Sequence, residues 1–137
     1  MRFIDSKKMK IELSKEQLEQ LSSQEKIARV IKEKDVLAFD IYDEEKIIGF
    51  VMLKKYHSGC FLWDYAIDYK YQNRGYGYKC LIELIDLLKE QYHIEEITTT
   101  YKWGNEPAKY IYNKAGFIEV SVVEEDSVHE VNMLKKL

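Results

Sequence analysis

Cysteine is nearly absent: Cys60 and Cys80 are the only two in 137 residues. Two scattered thiols make neither a disulfide framework nor a zinc site, so reduced thiols and a cytoplasmic home are expected. Long apolar runs are missing too. No stretch approaches the ~18 consecutive apolar residues of a membrane span. The start, Met1-Arg2-Phe3-Ile4-Asp5-Ser6-Lys7-Lys8, has no apolar signal core. Neither membrane insertion nor export by that route is expected. Positive charge is not in excess, since 21 Lys and Arg stand against 24 Asp and Glu for a formal net charge of −3. With no dominant basic patch, general nucleic-acid affinity is not expected, whereas a cationic substrate is compatible. His57, His93 and His129 lie in separate stretches without metal spacing or a paired nucleophile, so they read as loop or surface residues and no metal site is expected.

What remains is the composition of an ordinary globular chain, 46% hydrophobic and 33% charged. Its length suits one domain over residues 1–137 with a continuous core. Ser14 followed by Gln17 fits a capping box, and Ser22 with Glu25 reads as a second cap, so two short helices are expected between Ser14 and Lys34. From Val36 the period changes to two. Val36 to Tyr42 and Ile47 to Lys54 read as a hairpin around Asp43-Glu44-Glu45-Lys46, and a turn at His57-Ser58-Gly59 leads into a third strand, Cys60 to Asp68.

A polar loop comes next, and then Leu81, Leu84, Ile85 and Leu88 recur at helical spacing, giving a helix from Tyr76 to about Gln91. Ile94 to Tyr101 reads as the next strand, which the intervening helix makes parallel to its predecessor. Pro107 suits the start and Gly116 the end of another helix. Phe117 to Glu124 and Val128 to Leu134 close the chain as a hairpin around Glu125-Asp126-Ser127. The order is α+β, with about six or seven strands, mostly antiparallel, and about four helices.

The loop Gln72-Asn73-Arg74-Gly75-Tyr76-Gly77 opens the long helix. Its glycines have no side chain to hold phosphates off the backbone, and unpaired N–H groups with the helix dipole favour an anion there. A dinucleotide fingerprint would need a third glycine where Cys80 stands, and no Gly-Lys-Ser or Gly-Lys-Thr of a P-loop exists. Arg74 and Lys79 flank the glycines and can neutralise phosphate charge, and their place at a helix start is a poor one for cations without an anion.

The surviving pattern, Gln-x-x-Gly-x-Gly, resembles the acyl-CoA signature of the GNAT superfamily of N-acetyltransferases. A second stretch, Asn105-Glu106-Pro107-Ala108-Lys109-Tyr110-Ile111-Tyr112-Asn113-Lys114-Ala115-Gly116-Phe117, resembles that family's second motif, an Asn opening a short Tyr-bearing helix that ends in Gly-Phe. Both lie in the family's order and separation, and the resemblance runs from about Phe39 to Val120. It implies a sheet whose central strands splay apart, with residues 1–35 as a variable, helical acceptor-side region and 36–137 as the core. GNAT domains normally begin with a strand, for which only Met1 to Leu13 is available here.

The resemblance also implies chemistry. Acetyl-CoA would be the co-substrate, without a metal, its diphosphate on Gln72, Asn73, Arg74, Gly75, Tyr76, Gly77, Tyr78 and Lys79. The acetyl and pantetheine part would meet the backbone of Tyr65, Ala66 and Ile67, a potential oxyanion hole. Asn105 would cap its helix and touch the pantetheine. Tyr112 would protonate the leaving thiolate; with 11 tyrosines in the chain, one more core aromatic is the competing reading. A phenol of pKa near ~10 does this only if the thiolate is basic at the moment of cleavage, or if the site lowers the phenol.

The polyamine branch of the family often carries an acid where Trp63 stands; Asp64 beside it is the candidate base, with an ordinary surface carboxylate as the competing reading. Asp68 reads as ordering the loop. Asn-Glu-Pro before the Tyr helix and the strand Trp63-Asp64-Tyr65-Ala66-Ile67-Asp68 look most like the polyamine (spermidine or diamine) acetyltransferases. The expected activity is acetyl transfer to a primary amine by direct attack in a ternary complex. An aminoglycoside, amino acid or protein amine is the alternative acceptor, and a non-catalytic acyl-CoA-binding module the alternative function. A homodimer is what the family implies.

Overall fold

A computed structural model describes residues 1–137. Its spine is a seven-stranded mixed sheet in the order β1-β2-β3-β4-β5-β7-β6, antiparallel except between β4 and β5. In chain order these are β1 (Arg2–Asp5), β2 (Val36–Asp43), β3 (Lys46–Tyr56), β4 (Gly59–Ile67), β5 (Glu96–Lys102), β6 (Ile118–Glu125) and β7 (Val128–Lys136). The helices are α1 (Lys15–Gln20), α2 (Gln24–Val30), α3 (Tyr76–Tyr92) and α4 (Glu106–Lys114). The α+β expectation and the parallel crossover through α3 are both met. The amino edge left open by the sequence is a true strand: β1 pairs with β2 from Arg2↔Tyr42 to Asp5↔Phe39.

Local chemistry explains most boundaries. Ser14 and Gln17 make the capping box of α1, each side chain accepting the other's backbone N–H. The cap of α2 is Ser23, accepting from Lys26 N at 3.1 Å, and not Ser22 as the spacing to Glu25 implies. Ser22 is drawn elsewhere, its N–H donating to Asp64 Oδ1 at 2.8 Å. The β2–β3 turn is tighter than expected, because Asp43 and Lys46 still pair and only Glu44 and Glu45 turn, Glu44 at φ 54. β5 starts at Glu96, two residues late. Ile94 is consumed by the end of α3, where its N–H bonds Leu88 O beyond a left-handed His93 at φ 54.

The central strands of the sheet are covered on both faces. Beneath α3 and α4, Leu81, Leu84 and Leu88 pack on Ile41, Val51, Leu53, Leu62 and Met133. Beneath α1 and α2, Ile27 and Val30 pack on Ala38, Phe50, Met52 and Ala66. Two features shape the centre of the sheet. The parallel ladder is short, joining only Gly59–Leu62 to Glu96–Thr99, so β4 and β5 part beyond Leu62 and Thr99. β4 also carries a bulge: Met52 faces Asp64 and Leu53 faces Leu62, leaving Trp63 as the extra residue. Cys60 and Leu62 point into the larger cluster before the bulge, and Tyr65 and Ile67 after it. Asp64 is thereby turned toward α1 and α2.

Candidate active site

The loop before α3 departs from regular backbone at two points, Asn73 at φ 61 and Gly75 at φ 84. Asn is among the few non-glycine residues that tolerate this region, and Gly75 enters it freely. The result is a run of unanswered donors. The N–H groups of Asn73, Arg74, Gly75, Tyr76, Gly77 and Tyr78 find no acceptor in the chain, and the first bond of the helix is Lys79 N to Gly75 O at 3.2 Å. No acidic side chain sits in the first turn of α3 and no side chain caps it. A Cβ on Gly75 would meet nothing within 4 Å, so the space before these donors is open. Such a helix mouth fits a diphosphate.

The glycines differ in their surroundings. A Cβ on Gly77 would lie 3.0 Å from Ile111 Cδ1, so its missing side chain also lets α4 pack close. The side chains also divide. Tyr76 turns away, its hydroxyl donating to Asp43 Oδ2 at 2.6 Å. Tyr78 lies under Lys114, whose Nζ is 4.3 Å from the ring centre. Gln72 is exposed, and so are Arg74 and Lys79, neither of which pairs with a carboxylate of the chain. Arg74 rests over the ring of Tyr71 at 5.5 Å. Asn105 caps α4, its Oδ1 accepting from Ala108 N at 3.3 Å, which leaves its amide N–H groups free.

Near the point where β4 and β5 part, two buried polar side chains lie on opposite faces of the sheet. Tyr112 belongs to the cluster under α3 and α4, tilted against Phe117 at 5.4 Å, while Asp64 faces α1 and α2. The gap brings them within electrostatic reach: burial pushes Tyr112 up to about 12, the Thr99 hydroxyl pulls it back in part, and the Asp64 charge adds to the rise. The site therefore raises this phenol and does not lower it. Tyr65 ties β4 to the helix mouth through its hydroxyl, which donates to Gly77 O at 2.5 Å. Beyond Leu62, the stretch carrying Tyr65, Ala66 and Ile67 pairs only with β3, from Val51 to Gly49.

Asp64 is not a surface carboxylate; it is 3% exposed. Burial raises its pKa, partly opposed by the Ser22 hydrogen bond and the Lys26 charge, and its Oδ2 has no partner. Lys26 lies 5.0 Å from the ring centre of Trp63. Asp68 does order the loop, accepting Lys70 N at 2.9 Å and Glu12 N at 3.0 Å. The α1 segment spans the gap, with Gln17 Nε2 on Ile67 O at 2.7 Å and the Glu19 carbonyl bound by Lys102 from β5.

The model of the Acetyltransferase (GNAT) family matches residues 6–117. This chain belongs to that family. As a GNAT acetyltransferase it is similar in fold to spermidine N-acetyltransferase SpeG from Vibrio cholerae. A point mutant of SpeG superimposes with a TM-score of 0.71 at 18% identity, covering 82% of this chain and 72% of that one. SpeG in complex with CoA and spermine gives 0.69 at 17% identity, over 82% and 72% of the two chains. A dodecameric SpeG structure in an intermediate state gives 0.68 at 17% identity, over 82% and 71%. No curated protein sequence matches the chain.

The GNAT fold also shows what sequence reasoning missed. Asp40, 1% exposed, is a second buried carboxylate on the α1–α2 face, with Oδ2 3.3 Å from Lys10 Nζ and Oδ1 unpartnered. Its place in the alternation, between Phe39 and Ile41, reads as the polar side of the strand; α1 and α2 cover that side. Thr99 had none, as the middle of Thr98-Thr99-Thr100. His129 is not a loop residue but part of β7, stacked on Trp103 at 4.4 Å. Cys60 and Cys80 are fully buried, and burial pushes both thiols up to about 12.

The raised pKa of Asp64 has a thermodynamic consequence. A carboxyl that holds its proton more tightly folded than unfolded adds stability below the unfolded value of about 3.9, lost as pH rises through the folded one. Asp64→Asn keeps an acceptor for Ser22 and cannot ionise. Its melting temperature should gain on the parent's as pH climbs above about 3.9. A difference that stays constant or falls contradicts the assignment.

Proposed function

We propose that this GNAT acetyltransferase moves the acetyl group of acetyl-CoA to a primary amine by direct attack in a ternary complex, with a polyamine as the acceptor class. The observation that carries the reading is the opening between β4 and β5 beyond Leu62 and Thr99, with Asp64 buried beside it on the α1–α2 face and Tyr112 buried on the α3–α4 face, near enough for the carboxylate charge to raise the phenol. The donors from Asn73 to Tyr78 hold the diphosphate, with Arg74 and Lys79 beside them as unpaired cations. Backbone N–H groups in Tyr65 to Ile67 take the thioester carbonyl, and free amide N–H groups of Asn105 take the pantetheine.

Asp64 removes the proton that an alkylammonium of pKa near ~10.4 carries at neutral pH, directly or through water. Its unpartnered Oδ2 and raised pKa suit a base better than a solvated carboxylate would. As the N–C bond forms and the C–S bond breaks, Tyr112 gives its proton to the sulfur, and the nitrogen, positively charged after attack, loses its remaining excess proton to water, from which Tyr112 is reprotonated. At a pKa of about 12 the phenol is protonated throughout the physiological range, as an acid must be. Residues 1–35 line the acceptor side, since α1 and α2 cover the face that Asp64 addresses. That acidic, buried side suits a cation, and it agrees with neighbours in fold that are spermidine N-acetyltransferases. The free, buried cysteines agree with a cytoplasmic setting.

Incubation with acetyl-CoA and a panel of spermidine, short diamines, an aminoglycoside and amino acids, following thiol release, should show turnover fastest with the polyamines. Tyr112→Phe should then keep CoA affinity within about twofold while slowing turnover by about 10²-fold, the usual weight of a general acid. No turnover with any amine makes the chain a binding module, and an unchanged rate in Tyr112→Phe removes its role.

We also propose a homodimer built on β6. This strand is one of the two edges of the sheet, and Ile118, Val120 and Val122 on it are 62%, 53% and 48% exposed. Light scattering should give twice the mass of the 16.4 kDa chain, and Val122→Lys should halve it. A monomer at micromolar concentration contradicts the interface.

A further inference from the structure

Of the side-chain nitrogens and oxygens buried in this chain, two find no partner: Asp64 Oδ2, of the proposed base, and Asp40 Oδ1. Both carboxylates belong to the sheet face beneath α1 and α2, since Asp40 pairs with Phe50 and Asp64 with Met52, and Phe50 and Met52 pack in that layer. They stand one strand to either side of β3 and two residues apart along it. At about 4.8 Å per strand and about 3.3 Å per residue, their Cα atoms lie about 12 Å from each other. Between them the floor is apolar, Phe50 and Met52 being 1% and 0% exposed. A face that reads carboxylate, apolar floor, carboxylate is the complement of a chain that reads ammonium, methylenes, ammonium.

Asp40 already holds one alkylammonium. Lys10 brings its Nζ to 3.3 Å from Oδ2, although its side chain is 57% exposed and that of Asp40 only 1%. The lysine stem therefore marks a way from solvent to the buried acid that is as wide as an alkylammonium chain. A buried carboxylate kept only for stability needs its remaining lone pairs answered as well, and here Oδ1 is left over. We infer that Asp40 is a second acceptor-binding residue: it takes the far ammonium of a diamine or polyamine whose near nitrogen is acetylated beside Asp64, and Lys10 is the place-holder that the far ammonium displaces. An extended chain gains about 1.25 Å per bond, so nitrogens about six to nine bonds apart, roughly 8–11 Å, span the two carboxylates once each touches its acid. The methylenes between them lie on the Phe50 and Met52 floor, under Ile11, Ile27 and Val30, and replace apolar contact with apolar contact.

This deepens the acceptor reading proposed above and rests on it, and the experiment separates the two. The probes are the eight-carbon α,ω-diamine and the eight-carbon amino alcohol, equal in length and differing in the far ammonium. With acetyl-CoA, and thiol release as the readout, the parent should favour the diamine by about tenfold or more in kcat/KM, the weight of a hydrogen bond between charged groups. Asp40→Asn, nearly isosteric and uncharged, should bring that ratio close to one by raising KM for the diamine. Lys10→Met removes the competing ammonium and keeps an unbranched stem, so it should lower the same KM by about threefold or more. A merely structural ion pair does not give these opposite signs, because breaking it from either end loses the same contact. Where Asp40→Asn does not fold, the parent's ratio and Lys10→Met decide alone. A parent ratio near one, an unchanged ratio in Asp40→Asn, or a KM that holds or rises in Lys10→Met overturns the role of Asp40 and leaves acetyl transfer standing. No thiol release with any amine overturns the acceptor reading beneath it.

Discussion

The structure turns on the failure of one ladder. β4 and β5 stay paired over four positions, Gly59 to Leu62 against Glu96 to Thr99, and then separate, although β4 continues to Ile67 and β5 to Lys102. Unmet backbone groups inside a sheet are costly, so a gap of this kind persists only where other contacts fix both sides. Here β3 holds β4 through its full length and β7 holds β5, from Glu96↔Lys136 to Lys102↔Glu130. Tyr65 anchors the parted limb of β4 to the first turn of α3, and Gln17 and Lys102 tether α1 to both limbs. The opening is thus a product of the sheet's own pairing and of the helices laid across it.

That opening decides the electrostatics. A sheet normally isolates its two faces, each alternate side chain committed to one of them. Through the gap, a phenol on the α3–α4 face and a carboxylate on the α1–α2 face influence each other, and both have their charged forms disfavoured by burial. In the proposed reaction the two shifts serve opposite tasks. Asp64 becomes a stronger base, while Tyr112 holds its proton more firmly than a free phenol. Against a thiol of pKa near ~8.5, a phenol at about 12 gives up its proton uphill by roughly 5 kcal/mol. In the proposed mechanism transfer is therefore timed with C–S cleavage, when the sulfur is most basic.

Much of this was legible in the residues. The change from helical to strand period at Val36, the glycine loop before Leu81 and Leu84, and the parallel crossover arise from spacing and turn chemistry, which are local. The amino edge was not legible, because β1 has only four residues and owes its existence to pairing with β2. The cap of α2 went to Ser23 because tertiary contact with Asp64 claims Ser22. Asp64 itself could be named but not placed: its burial depends on the Trp63 bulge, which changes which residues of β4 face α1 and α2, and a bulge leaves no mark in an alternating pattern. That Gly77 also lets Ile111 approach, thirty-four residues away in the chain, was not legible. Thr99 was invisible for the same reason, as its partner Leu62 meets it only in three dimensions.

The central claim is that the gap is where the thioester is held. A crystal structure with CoA tests it most directly. The account predicts the diphosphate on the N–H groups of Asn73 to Tyr78 and the sulfur between β4 and β5, within about 3–4 Å of the Tyr112 oxygen. A coenzyme seated elsewhere, or a ladder that closes beyond Leu62 and Thr99 when it binds, would contradict it.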